Sequence, residues 1–182
     1  MLNNGIVYAF KTDTVCGFGC HPEDISAIKK IYDIKKRDSK KPLILMSNDI
    51  KHLKKYIKFI PEYANELIEK YLPGGLTLIF EKSDICPKEI TSGGNTIGIR
   101  IPNSKDFSTL VNKIDGCVLA TTSCNLSDEK PVRNYNEAKE KFGDVAEIVK
   151  PIEDIEHENL PSTVVLCEKE GYKVLRQGVI KL

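Results

Sequence analysis

The chain has no tryptophan, two methionines and three histidines among its 182 residues, and almost no net charge. Its 27 Lys and Arg offset 26 Asp and Glu, leaving +1. Such a balance supplies no global field to steer the chain onto nucleic acid or an anionic bilayer. Long hydrophobic runs are also missing. No stretch reaches the ~18 apolar residues that span a bilayer, so no membrane association is predicted. The opening MLNNGIVYAFK has a short apolar run and no cationic start. No signal peptide is therefore expected, and the cytosol is the expected compartment.

Familiar catalytic signatures are absent. There is no GxxxxGK[ST], hence no P-loop. Gly17-Phe18-Gly19 has Pro22 where a dinucleotide fingerprint places its third glycine. The HExxH, GxSxG and EF-hand patterns do not occur. His21, His52 and His157 stand far apart, so no histidine base is indicated. The cysteines, at 16, 20, 86, 117, 124 and 167, are scattered through apolar segments. They read as reduced buried thiols rather than a disulfide framework. Cys16, Cys20 and His21 lack the second ligand pair of a zinc site, and no metal site is assigned.

What is present is the composition of a folded protein: 41% hydrophobic and 29% charged residues argue against disorder. The length suits one domain over residues 1–182. Gly5–Phe10 reads as a buried strand, and Gly17-Phe18-Gly19 after it as a tight loop. Pro22 should start a helix burying Ile25, Ile28, Ile31 and Tyr32 and ending in Lys35-Lys36-Arg37. A strand at Leu43–Met46 follows. Ser47 and Asn48 then cap a helix with Ile50, Leu53, Ile57 and Ile60. A further helix from Pro61 ends at Pro73-Gly74-Gly75. Strands are predicted at 76–80, 96–101 and 118–122, with a helix over 105–114 between the last two. A short helix over 136–142 and strands at 145–149, 163–166, 173–175 and 179–180 complete the chain. The expected fold is a single α/β domain: a twisted mixed sheet with flanking helices.

Polar groups gather at the predicted strand ends: Thr12, Asp13 and Thr14; Lys35 and Arg37; Thr96 and Arg100; Thr121, Thr122, Ser123, Asn125 and Ser127; Ser162 and Thr163; and Arg176. Ligands of open α/β sheets collect beyond strand ends. Hydroxyls, an amide and arginines suit an anionic, phosphate-bearing ligand. The cations at 35–41 end a helix and enter a proline loop, where several can converge on phosphates.

Seven blocks stand in order: KTDTVCGFGC, IYDIKKRDSKKPLIL, LPGGLTLIF, NTIGIRIP, LATTSCNLSDEKP, PSTVV and VLRQGVI. Together, over residues 3–181, they resemble the YrdC/YciO family and its threonylcarbamoyl-AMP synthases of tRNA modification. The resemblance implies a YrdC-like fold with a positively lined cavity. It also implies that L-threonine, bicarbonate or CO2, and ATP with Mg2+ yield threonylcarbamoyl-AMP and pyrophosphate. A downstream complex would pass the threonylcarbamoyl group to tRNA. In the roles so implied, Lys35, Arg37, Ser123 and Asn125 are catalytic. Thr14, Arg100, Thr122 and Ser162 bind threonine. Arg37, Lys41, Thr96, Cys124 and Arg176 bind ATP. Lys11, Cys16, Asp38 and Cys124 stand where the family usually has Pro, Tyr, Pro and Ala, and Cys16 bears on amino-acid preference. An N-terminal helix and a C-terminal extension found in relatives are not expected. The alternative is a paralogue that binds nucleotide or RNA without this activity, with a weak RNA contact at 35–41. A carbamoyl-transfer module of the hydrogenase-maturation type belongs to much longer chains.

Overall fold

The computed structural model describes residues 5–36, 38, 40–152 and 160–182. Nine strands form one mixed sheet: β1 (Tyr8–Phe10), β2 (Gly17–Cys20), β3 (Ile44–Ser47), β4 (Leu76–Glu81), β5 (Thr96–Arg100), β6 (Val118–Ser123), β7 (Glu147–Ile148), β8 (Thr163–Cys167) and β9 (Tyr172–Arg176). Their spatial order is β7-β1-β2-β6-β3-β5-β4-β8-β9. β6 runs antiparallel to both β2 and β3, and β3 runs parallel to β5. The helices are α1 (Ile25–Lys35), α2 (Ile50–Leu53), α3 (Glu62–Tyr71), α4 (Lys105–Val111) and α5 (Tyr135–Phe142).

Strand alternation divides the side chains between the two faces of the sheet. Ala9, Phe18, Leu45, Leu78, Ile99, Ala120 and Val165 join the main core, with Ile28 and Ile31 of α1, Leu53 of α2 and Leu67 of α3. On the other face, Tyr8, Phe10, Met46 and Leu119 pack against Phe107, Leu110 and Val111 of α4. That helix covers only part of its face. Thr77, Ile79, Gly98, Arg100 and Val164 share the same parity, and their part of the face opens into a cavity.

Local chemistry departs from the expected boundaries in several places. Gly17–Cys20 is a buried strand, not a tight loop. Its glycines admit the Phe10 ring: a Cβ on Gly19 would lie 2.9 Å from that ring, and one on Gly17 3.0 Å. α1 begins at Ile25 rather than at Pro22, because Asp24 accepts from Ala27 N at 2.9 Å and caps it. Asp49, rather than Ser47 or Asn48, caps α2. Ser47 ends β3, and its Oγ donates to Cys117 O. A 3-10 turn at Lys54–Tyr56 ends that helical region before Ile57 and Ile60. α4 stops at Val111, and β7 keeps only two of the five predicted residues. Residues 179–180 form no strand; their backbone is tied to Pro161 O and Thr163 Oγ1 instead.

Candidate active site

The cavity holds about 420 Å³, and its floor is β3, β4, β5 and β8. Thr121, Thr122, Ser123 and Asn125 at the end of β6 form one wall, and Pro161, Ser162 and Arg176 form the opposite one. Ile44 of the floor lies across Gly98, where a Cβ would meet Ile44 Cγ2 at 2.6 Å. Thr12 and Cys16 close the third side.

Arg100 is 2% exposed. Its Nη2 pairs with Asp13 Oδ1 at 2.5 Å, Nη1 donates to Thr14 Oγ1 at 2.7 Å, and Nε donates to Gly74 O at 3.0 Å. These bonds use three of the five guanidinium hydrogens, leaving one on each terminal nitrogen for a ligand. Burial pushes the Arg100 pKa below its ordinary value, and Asp13 opposes that shift. Arg176 grips the other wall: Nε and Nη2 donate to Ser162 O at 3.2 and 2.9 Å, and Nη2 reaches Ser162 Oγ at 3.2 Å. Burial lowers its pKa as well. Ser162 Oγ lies 2.8 Å from Thr77 Oγ1.

Of the expected site residues, Arg100, Thr122, Ser123, Asn125, Ser162 and Arg176 line this cavity. Thr14 joins them through Arg100. Thr96 shares the cavity face of β5 by parity but lies at the strand's other end, exposed. Lys41 is exposed beside Pro42, which lines the cavity, and its carbonyl accepts from Tyr32 Oη. Arg37 lies outside the described residues.

Three expected site residues have polar groups engaged within the protein. Lys35 is not at the cavity. It is 1% exposed, and its Nζ donates to Ser123 O at 2.5 Å, Asn125 O at 2.7 Å and Asn125 Oδ1 at 3.2 Å, while Ser127 N donates to Lys35 O. The lysine fastens the loop after β6 to the end of α1. Cys124 is fully buried in the core, where burial pushes its thiol pKa up. Its N–H donates to Cys16 O and its carbonyl accepts from Val132 N. Asn125 spends its amide on the loop, donating to Leu126 O and Glu129 O and accepting from Lys35.

Asp13 as the partner of Arg100, and Thr77 and Glu129 in the lining, were not assigned from sequence. Thr77 left one signal: it is the one polar residue in the apolar run LTLIF. A second groove of about 510 Å³ lies between α4 and β7, with Asp106 holding Ile152 N. No His, Cys, Asp or Glu group that could hold a metal ion occurs among the described residues.

A mixed sheet with one partly uncovered face carries a hydroxyl-rich cavity with an arginine on its floor and another in its wall, a donor set suited to small anionic ligands. The Sua5/YciO/YrdC family profile, described as telomere recombination, matches residues 1–178, and the chain belongs to that family. A threonylcarbamoyl-AMP synthase of Bacillus subtilis is 34% identical over 182 residues, covering 99% of this chain and 52% of that one. The structure of Pyrococcus abyssi Sua5 complexed with L-threonine superposes with a TM-score of 0.87 at 30% identity, over 96% of this chain and 51% of the other. Escherichia coli YciO gives 0.83 at 25% identity, over 96% of this chain and 84% of the other. The chain spans about half the length of the first two of these relatives.

Proposed function

We propose that the chain is an L-threonylcarbamoyladenylate synthase: it joins L-threonine, bicarbonate or CO2, and ATP into threonylcarbamoyl-AMP and releases pyrophosphate. The observation that carries this reading is the buried Arg100, held by Asp13, Thr14 and Gly74 with one N–H left on each terminal nitrogen. That arrangement suits the carboxylate of an amino acid. Support also comes from the threonine-bound Sua5 neighbour.

The chemistry sets what the residues must do. Threonine's amine adds to CO2 and loses a proton, giving a carbamate. A carbamate oxygen then attacks the α-phosphorus of ATP, and the bond to the pyrophosphate oxygen breaks. Both partners are anions, so catalysis rests on positioning and charge compensation more than on a base. Arg100 holds the carboxylate. Arg176 offers its remaining Nη1 hydrogens to the nucleotide. Thr122 and Ser123, half-buried at the end of β6, face the carbamate and α-phosphate. Thr96 and Lys41 extend the nucleotide path along the outer side. Lys35 acts one step removed, by holding the loop that carries Ser123.

The acidic side chains fit Mg2+ as a passenger of the nucleotide: Asp13 is committed to Arg100, and among the described residues Glu129 is the one carboxylate in the lining. An ion held mainly by phosphates and water suits that donor set, and it would offset charge on the departing pyrophosphate. A downstream complex that transfers the threonylcarbamoyl group to tRNA completes the reading. Pyrophosphate release from ATP and bicarbonate, measured with and without L-threonine, tests it. Release that requires threonine supports the proposal, and release indifferent to threonine overturns it.

A further inference from the structure

We infer that Thr77 is a specificity-determining residue of this cavity: with Ser162 it presents a single hydroxyl hydrogen to the side-chain hydroxyl of a β-hydroxy amino acid whose carboxylate lies on Arg100. The inference rests on the amino-acid reading above and adds a residue and a direction to it.

Counting hydrogens gives the direction. Arginine only donates, so Ser162 Oγ accepts from Arg176 Nη2. The Ser162 and Thr77 oxygens are 2.8 Å apart, so one of their two hydroxyl hydrogens bridges them. The other remains for the cavity, whichever oxygen carries it. The opposite pair behaves differently. Thr12 Oγ1 donates to Val15 O at 2.7 Å. Thr14 Oγ1 accepts from Arg100, so its own hydrogen goes to Thr12 Oγ1 at 3.2 Å. No hydroxyl hydrogen is left there, only a lone pair on Thr14. One side of the cavity thus offers an acceptor beside Arg100, suited to an amine. The other side offers one donor.

Register places the two sides within one small molecule. Leu78 pairs with Ile99 across β4 and β5, and continuing that antiparallel register sets Thr77 opposite Arg100. Residues so paired have Cβ atoms about 4.5–5.5 Å apart. Thr77 is 2% exposed and Ser162 6%, so a donor without a partner here costs free energy. A carboxylate on Arg100 brings an amino acid's β-substituent toward Thr77. A β-hydroxyl satisfies the spare hydrogen, and a methyl in its place does not.

The test compares the full chain with Thr77→Val and Thr77→Ser, after thermal unfolding confirms that each folds. Calorimetric titration with L-threonine and with L-valine, without ATP, reads the discrimination directly. Pyrophosphate release reads the KM values for threonine and ATP. Thr77→Val confines the one remaining hydroxyl hydrogen to Ser162, off the β4–β5 pair that faces Arg100; it should weaken threonine about tenfold, leave valine binding and the KM for ATP unchanged, and so erase most of the preference. Thr77→Ser should keep it. If Thr77→Val does not fold, Ser162→Ala supplies the test: Thr77 then keeps its own hydroxyl hydrogen with no oxygen to bridge to, so the preference for threonine should survive, and its loss overturns the inference. In Thr77→Val, unchanged threonine affinity, equal weakening of threonine and valine, or a rise in the ATP KM alone overturns the inference. So does a parent that binds both amino acids alike, or neither. A parent that prefers threonine but releases no pyrophosphate fails the activity reading instead and leaves this one standing.

Discussion

At the residue scale, the buried arginine and the buried lysine make different predictions because their partners differ. Arg100 meets a carboxylate, a hydroxyl and a carbonyl with its planar fork. Lysine has no planar fork and only one nitrogen. Arg100→Lys should therefore raise the KM for threonine well beyond any change in the KM for ATP, by about 10- to 100-fold for a lost charge-assisted pair. An equal rise for both substrates would move Arg100 to the nucleotide. Lys35 holds two main-chain carbonyls and an amide oxygen. Lys35→Met removes a costly buried cation but strands those acceptors. The expected net loss is about 1–3 kcal/mol, read from urea unfolding midpoints. Unchanged stability would contradict the fastening role.

Single elements carry their own tests. Asp24 caps α1 through Ala27 N and also accepts from Ser26 Oγ and Gly5 N. Burial pushes its pKa up, but the bonds from Ser26, Ala27 and Gly5 outweigh burial and hold it below the ordinary 3.8. A depressed carboxylate stabilises the fold above its unfolded pKa, and that contribution is lost as pH falls through the lower folded value. Asp24→Ala should cost about 1 kcal/mol at pH 7. The gap to the parent should shrink below about pH 3.8, as urea midpoints at pH 7 and pH 3 will show. On β5, Gly98→Ala drives a methyl toward Ile44 on the cavity floor. It should cost about 1–3 kcal/mol by overpacking, seen as a lower thermal midpoint.

The same elements show what was legible in the sequence. The β4, β5, β6 and β8 segments announced themselves as apolar runs, and their polar ends named Arg100, Thr122, Ser123 and Ser162 as cavity residues. Gly17–Cys20 did not read as a strand, because its two glycines answer to a phenylalanine ring on the neighbouring strand. Lys35 read as a phosphate-holding cation because a sequence cannot say that the loop after β6 folds back over the end of α1. Thr77 was hidden for a related reason: its importance depends on which residue lies opposite it, a matter of register.

At the scale of the whole molecule, ligands that bind only the folded state should stabilise it. Threonine or ATP at a hundredfold excess over its Kd contributes ~2.7 kcal/mol, a rise of about 5–11 °C in the thermal midpoint. Arg100→Ala should abolish the rise with threonine, and a retained shift would place the amino acid elsewhere. The position of β6 has a different consequence. It lies between β2 and β3 in space, yet it is translated long after both. The seventy-odd residues separating β3 from β6 take roughly 4–14 s to synthesise at ribosomal speeds. By the end of that interval the emerging chain has two unjoined sheet fragments, β1–β2 and β3–β5–β4, each with an open edge that invites pairing with other chains. The strand that joins them also brings Thr121, Thr122 and Ser123. Relief from aggregation and one wall of the cavity therefore arrive in the same folding event, and a delay before Val118 postpones both.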